Sequence, residues 1–254
     1  MIATPAKPRS LAGFSIFTGV MLIVFIGLGL WQLQRRVEKH ALIATLDQRL
    51  AELPGALPPP SQWGALNAAT DEFRRVQFQA TYASVPDAMV YSSGSAVRED
   101  VSGPGTWAFL PARLPDGAVV VINTGFVPNT MQDRAQQDRA VKPLLTNAPV
   151  TLTGYLRFPE KAGVLTPPQN LANRLWFTRD HLAMADALGW GGTVAPFYID
   201  LESPVPPNGI PKPGALEVHL KDDHMQYAIT WFSLAGAVVI AFAVWWRAQR
   251  RASS

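Results

Sequence analysis

The sequence predicts a membrane protein: two transmembrane α-helices flank a mainly β, antiparallel barrel- or sandwich-like extracytoplasmic domain with a few helices. Three observations carry this. No charged residue occurs in residues 10–34, and none in residues 225–246. Each run reaches the roughly 20 residues that take a helix across a hydrocarbon core about 30 Å thick. The polar stretch between them contains short segments of alternating hydrophobicity separated by Gly, Pro and Asn, the pattern of strands and turns.

Basic residues set the expected orientation. Arg247, Arg250 and Arg251 follow the second run with no acidic residue, as in a cytoplasmic flank, and two spans place Lys7 and Arg9 on the same side. The expected division is a cytoplasmic N-terminus (1–10), a first span (11–34), a periplasmic domain (35–224), a second span (225–246) and a cytoplasmic tail (247–254). Arg35, Arg36 and Lys39 stand on the disfavoured outer side of the first span, and long translocated loops tolerate such charges. No small-x-small cleavage site follows Trp31, so the first run reads as an uncleaved anchor. Without a long Arg- and Ser-rich leader, a bacterial inner membrane is expected.

After the first span, residues 37–53 keep helical spacing through Leu42, Leu46, Leu50 and Leu53 until Pro54-Gly55 stops them. In residues 75–82, Val76, Phe78, Ala80 and Tyr82 alternate with Gln77, Gln79 and Thr81, a half-buried strand. Further strands are predicted at 88–91, 106–110, 118–123, 150–156, 175–178, 197–201 and 216–220. Helices are predicted at 130–141 and at 179–188, the latter with Leu182, Ala185 and Leu188 on one face. Pro-rich residues 203–213 form a surface loop.

The chain has no cysteine, so the domain must bury a real core, and thiolate chemistry and Cys-based metal sites are excluded. Nucleotide-binding, zincin and serine-hydrolase signatures are missing, and no basic stripe with interleaved aromatics suggests nucleic acid. The expectation is that the chain is not an enzyme. Among the four histidines, His40, His181 and His219 read as solvated. His224 opens the second span and shares a helix face with Tyr227 and Trp231. Two readings stay open: a polar residue in an interfacial aromatic belt, or an axial haem ligand. Arg35 and Arg36, at the matching depth of the first span, are either snorkelling anchors or partners for carboxylates. Ser233, Ala237 and Ala241 recur every four residues, spacing that allows close helix contact on the side opposite His224.

Four segments resemble, in order, the motifs of the Surfeit locus protein 1 family: Gly29-Leu30-Trp31-Gln32-Leu33-Gln34-Arg35-Arg36, Phe73-Arg74-Arg75-Val76, Val121-Ile122-Asn123-Thr124-Gly125-Phe126-Val127-Pro128, and His224-Met225-Gln226-Tyr227-Ala228-Ile229-Thr230-Trp231-Phe232. The chain departs from the family pattern at Thr124 and Phe126, where Arg and Trp are usual, at Ala80, where Gly is usual, and at Met225, where Leu is usual. The resemblance implies a cytochrome c oxidase assembly factor that binds haem a and assists its insertion, with oxidase subunit I and haem a synthase as partners. It also implies His224 as axial ligand, with Trp31, Arg35, Arg36, Tyr227 and Trp231 around it. A cofactor-free scaffold is the alternative.

Overall fold

The computed structural model describes residues 11–252 apart from 96, 99, 132 and 218–221. The chain divides into two compact units, Met1–Ala44 with Leu220–Ser254, and Thr45–His219. The predicted 1–10 segment and His219 lie outside the described residues.

The first unit is a helix pair. α1 runs Leu11–Ala51, through the predicted first span and most of the helical stretch expected at 37–53, and α5 runs His224–Ala252. Both are long and apolar enough to cross a membrane. In α1 the buried or half-buried positions include Ser15, Thr18, Leu22, Phe25, Gly29, Gln32 and Arg36; in α5 they are His224, Ala228, Trp231, Ala235, Val238, Phe242 and Trp245. Steps of three and four alternate in both sets. That is the seven-residue repeat of a left-handed helix pair. The pair is antiparallel, because Phe25 stacks on Trp231 at 5.8 Å while Phe14 meets Trp245 at 4.4 Å. The predicted Ser233-Ala237-Ala241 stripe is exposed. Ala228 and Ala235 provide the close approach instead, on the side that carries His224.

The second unit is built on one eight-stranded sheet, in the order β1-β2-β6-β8-β5-β4-β3-β7. Its strands are β1 (Gly55–Ala56), β2 (Arg75–Tyr82), β3 (Ala88–Ser92), β4 (Gly105–Arg113), β5 (Val119–Pro128), β6 (Val150–Arg157), β7 (Leu175–Trp176) and β8 (Val194–Ser203), with a short helix, α2 (Ala68–Asp71), before β2. The end of β2 also pairs with β4, through Thr81 with Arg113 and Tyr82 with Ala112, closing a ring of β2, β6, β8, β5 and β4. The predicted alternation in β2 holds: Val76, Ala80 and Tyr82 are buried and Gln77 and Gln79 exposed. The sheet is mixed and not simply antiparallel, since β5–β8, β1–β2 and β3–β7 run parallel. Between β5 and β8 the chain passes through α3 (Arg134–Val141), β6, β7 and α4 (His181–Leu188), the long crossover that a parallel neighbour needs. The described part of the predicted 216–220 strand, Leu216 and Glu217, is not in a strand.

Two apolar layers cover the two sheet faces. Leu110, Val120, Ile122, Phe197 and Ile199 belong to one, and the alternate residues Phe109, Val121 and Tyr198 to the other. These central strands are buried on both sides, which explains their near-continuous apolar sequence. The second layer is completed by Met184 and Ala185 of α4 and by Trp190. This overturns the solvated reading of His181, which is fully buried on the inner face of α4, while the expected face residue Leu182 is 40% exposed. A histidine followed three residues later by Met184 gives an apolar helix face only if the imidazole is counted as core.

Candidate functional site

All four sequence motifs hold chain segments together, and the first and last do so across the helix pair. Gln32, in the middle of the first motif, is buried although it lies in the apolar run. Its Oε1 accepts from His224 Nδ1 at 2.7 Å. One turn earlier, a Cβ on Gly29 would stand 2.6 Å from the Phe232 ring, so a larger residue here requires the ring or the helices to shift. On the other side, Arg36 Nη1 lies 3.8 Å from Met225 Sδ.

The mouth of the pair is held by Asp222. Its Oδ1 accepts the His224 backbone N–H at 3.1 Å at the start of α5, and its Oδ2 is 2.6 Å from His40 Nε2 and 3.6 Å from Arg36 Nε. Arg36 Nε is nonetheless buried with no hydrogen-bond partner among the described residues. The predicted site residues therefore separate. His224, Arg36 and Trp231 lie on the seam. Trp31 and Tyr227 point outward, 51% and 54% exposed, and Arg35 turns to Glu38 at 2.8 Å. The shared face of His224, Tyr227 and Trp231 thus holds for the first and third only.

Sequence reasoning missed Gln32, Asp222 and Gly29. An amide in an otherwise apolar run was the available signal for Gln32, since a buried polar side chain needs a partner.

The arrangement fits a metal-ligating imidazole. With Nδ1–H donated to an amide oxygen, Nε2 is the ring nitrogen left for a ligand, and no hydrogen bond from it occurs among the described residues. Arg36 Nε lies at the same level, ion-paired with Asp222 at 3.6 Å but without a hydrogen bond among the described residues.

The two middle motifs lie in the second unit and are structural. Phe73 takes φ 65° and its ring sits 4.5 Å beneath the Arg157 guanidinium. Arg75 forks onto Glu202 at 2.6 and 2.7 Å, tying β2 to β8. Asn123 donates to Asp200 at 2.6 Å, and Asp200 also takes Arg157 at 2.7 Å. Thr124 is the extra residue of a bulge between Asn123 and Gly125, fully buried, its hydroxyl donating to Ala108 O at 3.0 Å. Gly125, at φ 128°, lies against the Lys212 backbone where a Cβ would collide.

The SURF1 family profile matches residues 19–236, a span that includes all four motifs. A SURF1-like protein of Monosiga brevicollis is 30% identical over 231 residues, covering 88% of this chain and 82% of the relative. Surfeit locus protein 1 of Rattus norvegicus is 30% identical over 223 residues (83% of this chain, 68% of the relative). The Homo sapiens protein of the same name is 29% identical over 243 residues (88% and 75%).

Proposed function

The chain belongs to the SURF1 family, and we propose on that footing that it is an assembly factor for cytochrome c oxidase, holding haem a at the outer membrane interface and assisting its insertion into subunit I. In this reading α1 and α5 cross a bacterial inner membrane, both termini are cytoplasmic and the sheet domain is periplasmic. Subunit I and haem a synthase are the protein partners, and haem a is cargo.

The observation that carries the reading is the Gln32–His224 hydrogen bond at 2.7 Å. With Nδ1 engaged there, Nε2 is the ring nitrogen left to bind iron, and haem iron is commonly held by a histidine. Arg36, whose Nε makes only a long ion pair with Asp222, would hold a propionate, and Trp231 would supply apolar surface beside it. Trp31, Arg35 and Tyr227, on the outer faces of the two helices, would meet the cargo or its recipient only from outside the seam.

The second reading, a cofactor-free scaffold for an oxidase intermediate, is favoured by the same seam. Gly29 against Phe232 and Gln32 against His224 account for the first and last motifs by helix packing alone.

Absorbance separates the two. Protein purified from cells that make haem a should show a Soret band that His224→Ala shifts or abolishes, with Arg36→Ala weakening retention at smaller spectral change. Wild-type protein that supports oxidase assembly without bound haem would leave the scaffold reading. Orientation is tested separately: a periplasm-active reporter should be active in the 203–213 loop and inactive after Ser254.

A further inference from the structure

The second unit contains a cleft that the haem reading does not use. β3 stays paired with β4 as far as Ser92, but on its other side β7 covers only Met89 and Val90. From Tyr91 onward that edge has no strand partner among the described residues, and a cleft of about 450 Å³ opens along it. The Tyr91 and Phe177 rings stand 6.1 Å apart in its wall, beside Arg157, Glu160 and Arg179.

Arg179 is the unusual member. Its side chain is only 15% exposed, yet its guanidinium makes no hydrogen bond to the described residues: it lies 5.1 Å over the Trp107 ring and 4.0 Å from the Glu160 carboxylate. Trp107 Nε1 is buried with no hydrogen-bond partner among the described residues. Both residues line a narrow chamber behind the cleft. Arg157, by contrast, is held by Asp200 at 2.7 Å and Glu72 at 3.0 Å. A buried donor without an acceptor is costly, as at Trp107 Nε1, and the Arg179 guanidinium is held only by its ring contact and a 4.0 Å ion pair. An open sheet edge is a second unmet demand, and a protein normally covers it.

We infer that this cleft binds an extended peptide segment carrying a carboxylate: Arg179 takes the carboxylate, the Tyr91–Phe177 pair takes an apolar neighbour, and the free edge of β3 pairs with the main chain. Strand addition supplies affinity through backbone hydrogen bonds and selectivity through side-chain pockets. Glu160 in the same wall disfavours a free multivalent anion, whose charge would not be offset by edge and apolar contacts. The inference rests on the second unit alone and stands or falls independently of haem binding.

The test uses the full chain in detergent and three probes: a blocked heptapeptide of alternating Val and Thr with a central Glu, the same peptide with Gln, and inorganic phosphate. The Glu peptide should bind at least about tenfold more tightly than the Gln peptide, as expected for a charge-assisted pair. Arg179→Met should remove that preference without lowering the thermal midpoint, because the ion pair it breaks is long, 4.0 Å, and its Glu160 carboxylate is 47% exposed. Tyr91→Ala, on an exposed residue, should weaken both peptides equally. Equal or absent binding of the two peptides, or phosphate binding without peptide preference, would overturn the proposal. So would a loss of thermal stability or failure to fold in Arg179→Met matching that of Arg157→Met, since Arg179 would then be structural.

Discussion

Gly29 lies so close to Phe232 that a single added methyl group would stand 2.6 Å from the ring. The two residues belong to motifs about 200 positions apart in the chain, and their contact explains why both motifs sit at the same level of the helix pair. The close approach puts Gln32 within reach of His224 and Phe25 under Trp231.

Gly29→Leu should therefore loosen the pair. Overpacking of this kind costs about 1–3 kcal/mol. Because the chain has no cysteine, a cysteine pair introduced at Phe25 and Trp231 reports the contact directly: crosslinking should fall in Gly29→Leu and recover when Phe232→Ala is added. Unchanged crosslinking in the single variant would show that Phe232 simply moves aside.

Gln32→Leu tests the hydrogen bond that orients His224. If His224 ligates haem iron, loss of its orienting partner should lower haem retention about 10–100-fold while the Soret band stays in place. Retention equal to wild type would mean that the amide serves helix packing only.

In the sheet, Val76 is fully buried and Gln77 exposed. Val76→Asp should destabilise by about 3 kcal/mol or more, because an unpaired charge enters an apolar layer. Gln77→Asp should cost far less, losing one hydrogen bond to Thr153 at 3.0 Å. Urea midpoints of the two variants give the comparison, and similar losses would contradict the face assignment.

His181 makes stability pH-dependent. Burial holds its pKa below the ordinary 6.5 and outweighs the hydrogen bond to Ala195 O and the nearby Asp180 carboxylate, which act the other way. The unfolded chain takes up a proton below about pH 6.5 that the folded chain refuses. This contribution is therefore intact above that pH and is lost progressively as pH falls below it. Thermal midpoints measured from about pH 7.5 down to about pH 5 should fall less steeply in His181→Gln than in wild type. Parallel slopes would remove His181 as the cause.

Much of this protein is legible in local sequence properties. A charge-free run long enough to span a bilayer, the alternation through Val76, Ala80 and Tyr82, and turn residues between strands each depend only on near neighbours. They determined the two apolar helices, most strands and the residues worth watching at the helix mouths. Which stripe of α5 meets α1 was not available in the same way. Ser233, Ala237 and Ala241 satisfy the spacing for close packing as well as Ala228 and Ala235 do, and the choice falls to the partner: Gly29 leaves room for Phe232, and Gln32 offers an acceptor to His224. His181 and the parallel pairing of β5 with β8 have the same origin. A histidine is solvated or core according to what packs over it, and strand direction follows from where a long crossover returns. Both are decided by groups distant in sequence, and so only the tertiary structure could decide them.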